Sequence, residues 1–459
     1  MSALELAWRG PVAGLSPTDR TRLVERRPAR GPGSDASAAS RPGPSDGPDE
    51  REDTRARVRE IIRDVRTRGD AALLEMARRF DGVDSDGLDV PRERWREALD
   101  ALDPGVRAAL ERAARNIEAF HRAQVPGDVE VETEPGVRLG RRFVPLARVG
   151  VYAPGGLAAY PSSVLMGVVP ARAAGVGEVV VCSPPGPNGL PAPPVLAAAA
   201  VGGADRLVAA GGAGAVAAMA YGTASVPRCD AVVGPGNRWV LEAKRQVAAD
   251  VVIDSPAGPS EVLVVADATA DPGRIADELV AQAEHDPDAA VVLVATDPDV
   301  LEAAEAALAE RVATTPRRDV VRAALAARGA LLLASDADEA LALAREWAPE
   351  HLSLLTARPR ADLERVPTAG TAFLGGSASV AHGDYLTGAN HVLPTEGTAR
   401  SYGGLSTLHF MRSYTWQEVG PDAAARLVDA VEALAGAEGL PAHGAAARGA
   451  ARASEGARS

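Results

Sequence analysis

Cysteine and aromatic residues are scarce in this 459-residue chain. Only Cys182 and Cys229 occur, one in VVVCSPP and one in VPRCD. Neither a CxxC metal site nor a disulfide framework is therefore available, and both read as free thiols. Aromatics make up 3% of the residues. Positive charge is also short: 49 Lys and Arg face 62 Asp and Glu, a formal charge of −13. Phosphate binding needs a basic face, so a nucleic-acid partner held by general electrostatics is not expected. No uninterrupted apolar run spans a membrane, because those at 190–220 are broken by Gly and Pro. MSALELAWRGP lacks the basic and apolar regions of a secretion signal, so no membrane association and a cytoplasmic location are expected.

What is present is an ordinary apolar content of 46%, rich in Ala, Val and Leu. The length exceeds what one core supports, so two or three domains are expected. Residues 1–27 read as an N-terminal arm. The stretch 28–50, PARGPGSDASAASRPGPSDGPDE, has no aliphatic side chain larger than Ala and reads as a flexible low-complexity insert. From 51 to 125 apolar residues recur three and four apart, the helical spacing. Beyond Pro161 β-branched runs alternate with Ala-rich ones. Strands are expected at 178–183, 206–211 and 229–234, with helices at 162–173, 191–201 and 213–223. The pattern restarts near 260 with strands at 260–267, 289–296 and 330–335. Helices are expected at 271–285 and 300–314, and a third is expected to run from DADEALALAREW into Glu350-His351. Strand–helix repetition of this kind predicts parallel sheets covered by helices, in two αβ units with a seam near 255–260. The tail from 421 reads as one amphipathic helix with a short continuation, and 444–459 is expected to fray.

Several clusters carry chemistry. Between 348 and 395, APEHL sets Glu350 beside His351, and HGDYLTGANHVLPT gathers His382, Asp384 and His391 near glycines. An imidazole beside a carboxylate suits proton transfer, while Asp384 with imidazoles suits Zn²⁺ or another borderline divalent ion. A helix-terminal His beside a solvated Glu, and Asp384 as a simple turn residue, are the plainer alternatives. In AQAEHDPD, Gln282 and His285 are three apart and share a helix face; a cap or surface role is the alternative for His285. Glycine-rich turns at YAPGG, AAGGAG and VVGPGN each follow a strand, where backbone N–H groups can face a phosphate. None is GxGxxG, so the ordinary dinucleotide fingerprint is absent. Asn237 is a candidate hydrogen-bonding partner for a cofactor, and Ser260 stands at the entrance to the next strand. Glu438 and His443 lie in EGLPAH after the tail helix, where a His is commonly structural unless the tail folds over a site.

Taken together, FDG, YAPGG with AAYPSSVLM, YGTASVP, GPGN, EAKRQV, DSPAGPSEV, QAEHDPD, APEHL, GDYLTGANHVLPT, GTAR and GLPAH resemble histidinol dehydrogenase from about residue 55 to 443. The resemblance implies an α/β fold of two Rossmann-like αβα domains with an incomplete dinucleotide fingerprint, plus small N- and C-terminal helical segments. It assigns 51–150 and 260–400 to a discontinuous αβ domain carrying metal and catalytic residues, and 151–259 to a nucleotide-binding αβ domain. Residues 401–459 become a C-terminal segment reaching the partner's active site in a homodimer. Carried over by motif, the Zn²⁺ ligands are Gln282, His285, Asp384 and His443, the last donated by the partner. His351 is the general base and Glu350 activates water. Ser260, His391 and Glu438 lie around the substrate with Gln282, His285, His351, Asp384 and His443. Tyr152, Gly214 and Asn237 match cofactor-facing positions, although the family often has Gln where Gly214 stands. The implied activity is oxidation of L-histidinol to L-histidine with two NAD⁺. A related zinc- and NAD-dependent dehydrogenase of another amino alcohol or polyol is the alternative; a non-catalytic αβ scaffold is an alternative of another class.

Overall fold

The computed structural model of the chain describes residues 4–26, 48–155, 159–255 and 258–456. The low-complexity segment up to residue 47 lies outside the described residues. The chain divides into two compact units, one formed by 1–124 with 147–410 and the other by 125–146 with 411–459.

Two parallel sheets organise the larger unit. The first runs in the order Trp8–Pro11, Gly329–Leu333, Ala290–Ala295, Glu261–Ala266, His351–Leu355, Thr371–Leu374. Its central strands are buried on both faces, as parallel strands covered by helices must be. In EVLVVA, Val262, Val264 and Ala266 enter one core while Leu263 and Val265 enter the other, which is the period-two alternation of a pleated strand. The second sheet runs Arg206–Ala209, Glu178–Ser183, Arg148–Tyr152, Ala231–Val233, Val252–Ile253. Its helices Pro161–Ala174, Pro193–Gly202 and Gly212–Tyr221 are nearly all apolar, and most of their residues are buried. Both sheets are thus Rossmann-like αβ layers.

Helix starts follow their local chemistry. Asp271, Asp297 and Asp336 each accept backbone N–H groups at the first turns of Pro272–Ala283, Pro298–Thr314 and Ala337–Trp347, satisfying donors that have no partner within the helix. Ala337–Trp347 does not continue into Glu350-His351 as expected. Ala348 takes a left-handed conformation (φ 51°) and closes the helix, and His351 opens a new strand.

The helices between 48 and 122, grouped by the resemblance with 260–400, have their principal packing partners on the other sheet. Pro48–Arg68 lies on Gly212–Tyr221 and Arg238–Val247, Arg92–Ala101 lies on Pro193–Gly202, and Pro104–Arg122 lies on Pro161–Ala174.

The smaller unit is an antiparallel sheet of Val129–Glu134, Val137–Pro145 and Met411–Val419, with helices Pro421–Ala437 and Pro441–Gly456 packed on each other. The expected fraying from 444 is replaced by helix through Gly456, because Gly444 and Ala451 are buried. No helix among the described residues is long and apolar enough to cross a membrane.

Candidate active site

The chemistry gathers at the amino ends of two adjacent strands of the six-stranded sheet. Glu261 opens one strand and His351 the other, and the strands pair with His351 opposite Val262. That register leaves the main chain of Glu261 open to the Glu350-His351 dipeptide. The Glu261 N–H donates to Glu350 Oε2 at 2.7 Å, and the Glu261 carbonyl lies 3.1 Å from His351 Nδ1. A carbonyl only accepts, so Nδ1 carries the proton and Nε2 of the neutral ring is the free base. His351 Nε2 is buried without a hydrogen-bond partner and sits 3.8 Å from Asp384 Oδ1. Glu350 Oε2 lies 3.4 Å from Nδ1.

Burial dominates the electrostatics. It pushes His351 down to about 3, with a smaller push in the same direction from His285 and His391. It takes His391 down to about 4. The Glu350 carboxyl moves well above its ordinary value, mainly by burial, with Glu261 and Asp384 adding to the rise. Burial and then Glu278 raise Asp384 to about 7. The imidazoles are thus held neutral, and the Glu350 and Asp384 carboxyls are pushed toward their protonated forms. A divalent ion would reverse that balance by favouring ionised Asp384.

His391 is carried by the loop after the helix Val380–Tyr385. Its Nδ1 lies 3.0 Å from the Asp384 carbonyl and its Nε2 3.4 Å from Ser163 Oγ, on a helix of the other sheet. Asn390 beside it donates to the Met166 carbonyl at 2.8 Å. Gly388 seats this loop: its φ is +97°, and a Cβ there would lie 2.4 Å from the Asn116 carbonyl oxygen, so only glycine fits. Ser163, missed in the sequence reading, is thereby joined to the site across 228 residues.

Gln282 lies in the last turn of the helix Pro272–Ala283; His285 follows the helix and is exposed. Both polar side-chain atoms of Gln282 are buried without a partner, although a buried amide normally has one. Among the described residues no group of three or more His, Cys, Asp or Glu side chains is placed to hold a metal. Glu438 and His443 are exposed residues of the smaller unit. Ser260 is half-buried immediately before Glu261, and His382 is exposed.

The glycine-rich turns stand at the carboxyl ends of the five-stranded sheet. Tyr152 ends its strand buried, and its hydroxyl accepts the Gly212 N–H at 3.2 Å. Gly234 (φ +118°) passes so near Tyr152 that a Cβ would lie 2.1 Å from its carbonyl oxygen. The Gly234 peptide is clamped on both sides, its N–H donating to Asp254 at 2.8 Å and its carbonyl accepting from Lys244 at 3.0 Å. Lys244 and Asp254 form a buried ion pair. Asn237 uses its Oδ1 to cap the helix Arg238–Val247, accepting from Trp239 and Val240, and its side chain is exposed. Gly214 is buried against another helix: a Cβ would meet Met76 Sδ at 2.8 Å and Leu73 at 3.2 Å.

Glycine turns on one parallel sheet and a proton-accepting imidazole on the other suit hydride transfer to a nicotinamide, and the class is that of NAD-dependent α/β oxidoreductases. A family model described as histidinol dehydrogenase matches residues 46–450. The chain is 50% identical over 433 residues to a histidinol dehydrogenase of Natronomonas pharaonis, covering 94% of this chain and 97% of that one. It is 48% identical over 435 residues to one of Halobacterium salinarum, covering 95% and 97%. A crystal structure of histidinol dehydrogenase from Elizabethkingia anophelis superposes with a TM-score of 0.88 at 31% identity, over 98% of this chain and 99% of the other. The chain belongs to the histidinol dehydrogenase family.

Proposed function

We propose that the chain oxidises L-histidinol to L-histidine in two NAD⁺-dependent steps, holding histidinaldehyde between them. The observation that carries the stepwise reading is the bare, buried Nε2 of His351, its ring oriented by the Glu261 carbonyl. In the first step His351 Nε2 takes the alcohol proton as the carbinol carbon gives hydride to NAD⁺. Water activated by Glu350 then adds to the aldehyde. The hydrate loses a second hydride to a second NAD⁺ and a proton to His351. One water is consumed, two NADH form, and the protons pass to solvent. Burial of both groups excludes competing water and strengthens each electrostatic contact.

Gln282, His285, Asp384 and the partner subunit's His443 would hold Zn²⁺. The unpartnered Gln282 amide and the cation-poor surroundings of Asp384 fit such a group. When bound, the ion supplies orientation, holding substrate nitrogens so that the carbinol carbon meets the nicotinamide. Ser260, His391 and the partner subunit's Glu438 surround the substrate in this reading, and Tyr152, Gly214 and Asn237 mark the cofactor side. The exposure of Glu438 and His443 in the single chain supports a homodimer whose C-terminal segments are exchanged.

Counting NADH per histidinol consumed by metal-replete protein tests the proposal, and two are expected. One NADH with released aldehyde would refute the two-step reading. Turnover of another amino alcohol without turnover of histidinol would shift the substrate, and no NADH from any alcohol would leave a scaffold.

A further inference from the structure

Glu350 and His351 rest on Glu261, and Glu261 is fixed from the opposite end of the chain. Among the described residues three non-glycine positions have a left-handed backbone: Arg26 (φ 55°), Ala348 (φ 51°) and Glu396 (φ 54°). All three meet at the Glu261 side chain or its partner. The Arg26 guanidinium pairs with both carboxylate oxygens, Nε to Oε2 at 2.8 Å and Nη2 to Oε1 at 2.7 Å. Its Nη2 also donates to the Ala348 carbonyl at 3.2 Å, two residues before Glu350. The Glu396 N–H donates to Glu261 Oε2 at 3.3 Å, and the Glu350 N–H donates to Glu261 Oε1 at 3.2 Å.

Arg26 is itself held firmly. It stacks over the Trp347 ring at 3.9 Å, its carbonyl accepts from Arg328 at 2.8 Å, and Trp347 Nε1 donates to the Leu23 carbonyl at 2.9 Å. Arg26 and Glu261 are 6% and 1% exposed. Left-handed non-glycine residues are strained and persist where the surroundings over-determine them. Three around one buried Arg26–Glu261 pair, directly behind the dipeptide proposed to do the chemistry, mark a place where geometry is kept at the expense of stability.

We infer that Arg26 is a positioning residue for the oxidation: through Glu261 it sets the left-handed turn at Ala348 and so aims Glu350 and His351. The inference rests on the assignment of His351 and Glu350 as base and water activator. A bidentate guanidinium is required, because the fork matches two carboxylate oxygens while its edge still reaches the Ala348 carbonyl.

The test uses the full-length protein with metal content, folded fraction and kinetics measured on the same preparations. Arg26→Met is expected to lower kcat by about 10²-fold, the scale of a displacement near 1 Å at a reacting group. KM for histidinol and NAD⁺ and the zinc content should stay near wild type. Arg26→Lys should recover only part of the rate. In Arg26→Gly, whose backbone suits the left-handed position, added guanidinium ion should restore activity. A second variant covers poor folding of the first: Ala348→Gly relieves strain and keeps the left-handed turn, so combined with Arg26→Met it should raise the unfolding midpoint and recover part of the lost kcat. A merely structural network would instead give wild-type kcat per folded site in all four variants, which overturns the inference. His351→Asn is run alongside. If it loses rate while Arg26→Met keeps it, positioning alone is wrong; if it keeps full rate, the base assignment fails and the inference fails with it.

Discussion

Breaking the buried pair behind the Gly234 turn should destabilise the protein more than any surface ion pair would. The side chains of Lys244 and Asp254 are 3% and 2% exposed, and both also hold the Gly234 peptide. Lys244→Met leaves a buried carboxylate facing no cation and a carbonyl without its donor. Stranding one partner of such a pair costs about 3–5 kcal/mol. Asp254→Leu strands the ammonium and the Gly234 N–H at a similar cost. In the double variant neither charge remains, and what is lost is chiefly two hydrogen bonds to one peptide, about 1 kcal/mol each. The double variant should therefore be no less stable than either single one, with a coupling energy of about 3 kcal/mol or more. Urea unfolding followed by circular dichroism measures this, provided the slope stays constant across the four proteins. Single-variant losses that simply add in the double, within about 0.5 kcal/mol, would refute the claim that the two charges exist for each other. The Gly234 turn leads to Asn237, so the single variants should also raise KM for NAD⁺ while leaving KM for histidinol unchanged.

Three further outcomes are expected. Gln282→Ala and His443→Ala should each lower zinc content as measured by metal analysis. Mixing His443→Ala with His285→Ala subunits should regain activity that neither has alone, and no regain at any ratio would contradict exchange of the tail. His121 is fully buried with Nδ1 on the Ile117 carbonyl, and burial holds it below its ordinary range. The unfolded chain takes up this proton below about pH 6.5 while the native chain resists it, so stability falls as pH drops. The contribution reaches at most about 1.4 kcal/mol at pH 5.5. Urea midpoints at pH 5.5 and 7.5 should therefore lie closer together in His121→Gln than in wild type.

Much of the αβ layering was legible because parallel strands buried on both faces read as plain apolar runs between turns. VVVCS and VVLVA fall within a residue of their expected ends. The break at Ala348 was not legible, since WAPEHL has no glycine to announce a left-handed residue. Its conformation is imposed by Arg26, distant by 322 residues. For the same reason the helix is expected to run on to the Glu350-His351 pair, whereas it ends at Trp347 and His351 opens a strand. Motif spacing brought Glu350, His351, Asp384 and His391 to notice, and the structure brings them together. Glu261 and Arg26 were passed over, one as the first letter of a strand and the other as part of an arm. A usable signal existed for the first: an ionisable residue opening a strand that is otherwise wholly apolar needs a partner. The packing of the helices at 48–122 was hidden because an amphipathic face declares that it is covered and not by which sheet.

The two halves of the site hang from opposite rims, the glycine turns at the strand exits of one sheet and the acid–base pair at the strand entries of the other. A reaction that spends two cofactors on one substrate has to change one guest while keeping the other. On the proposed reading those two guests are served by separate frameworks, so exchange of the cofactor need not loosen the grip on the aldehyde, and the hydrogen bond between His391 and Ser163 links the two frameworks.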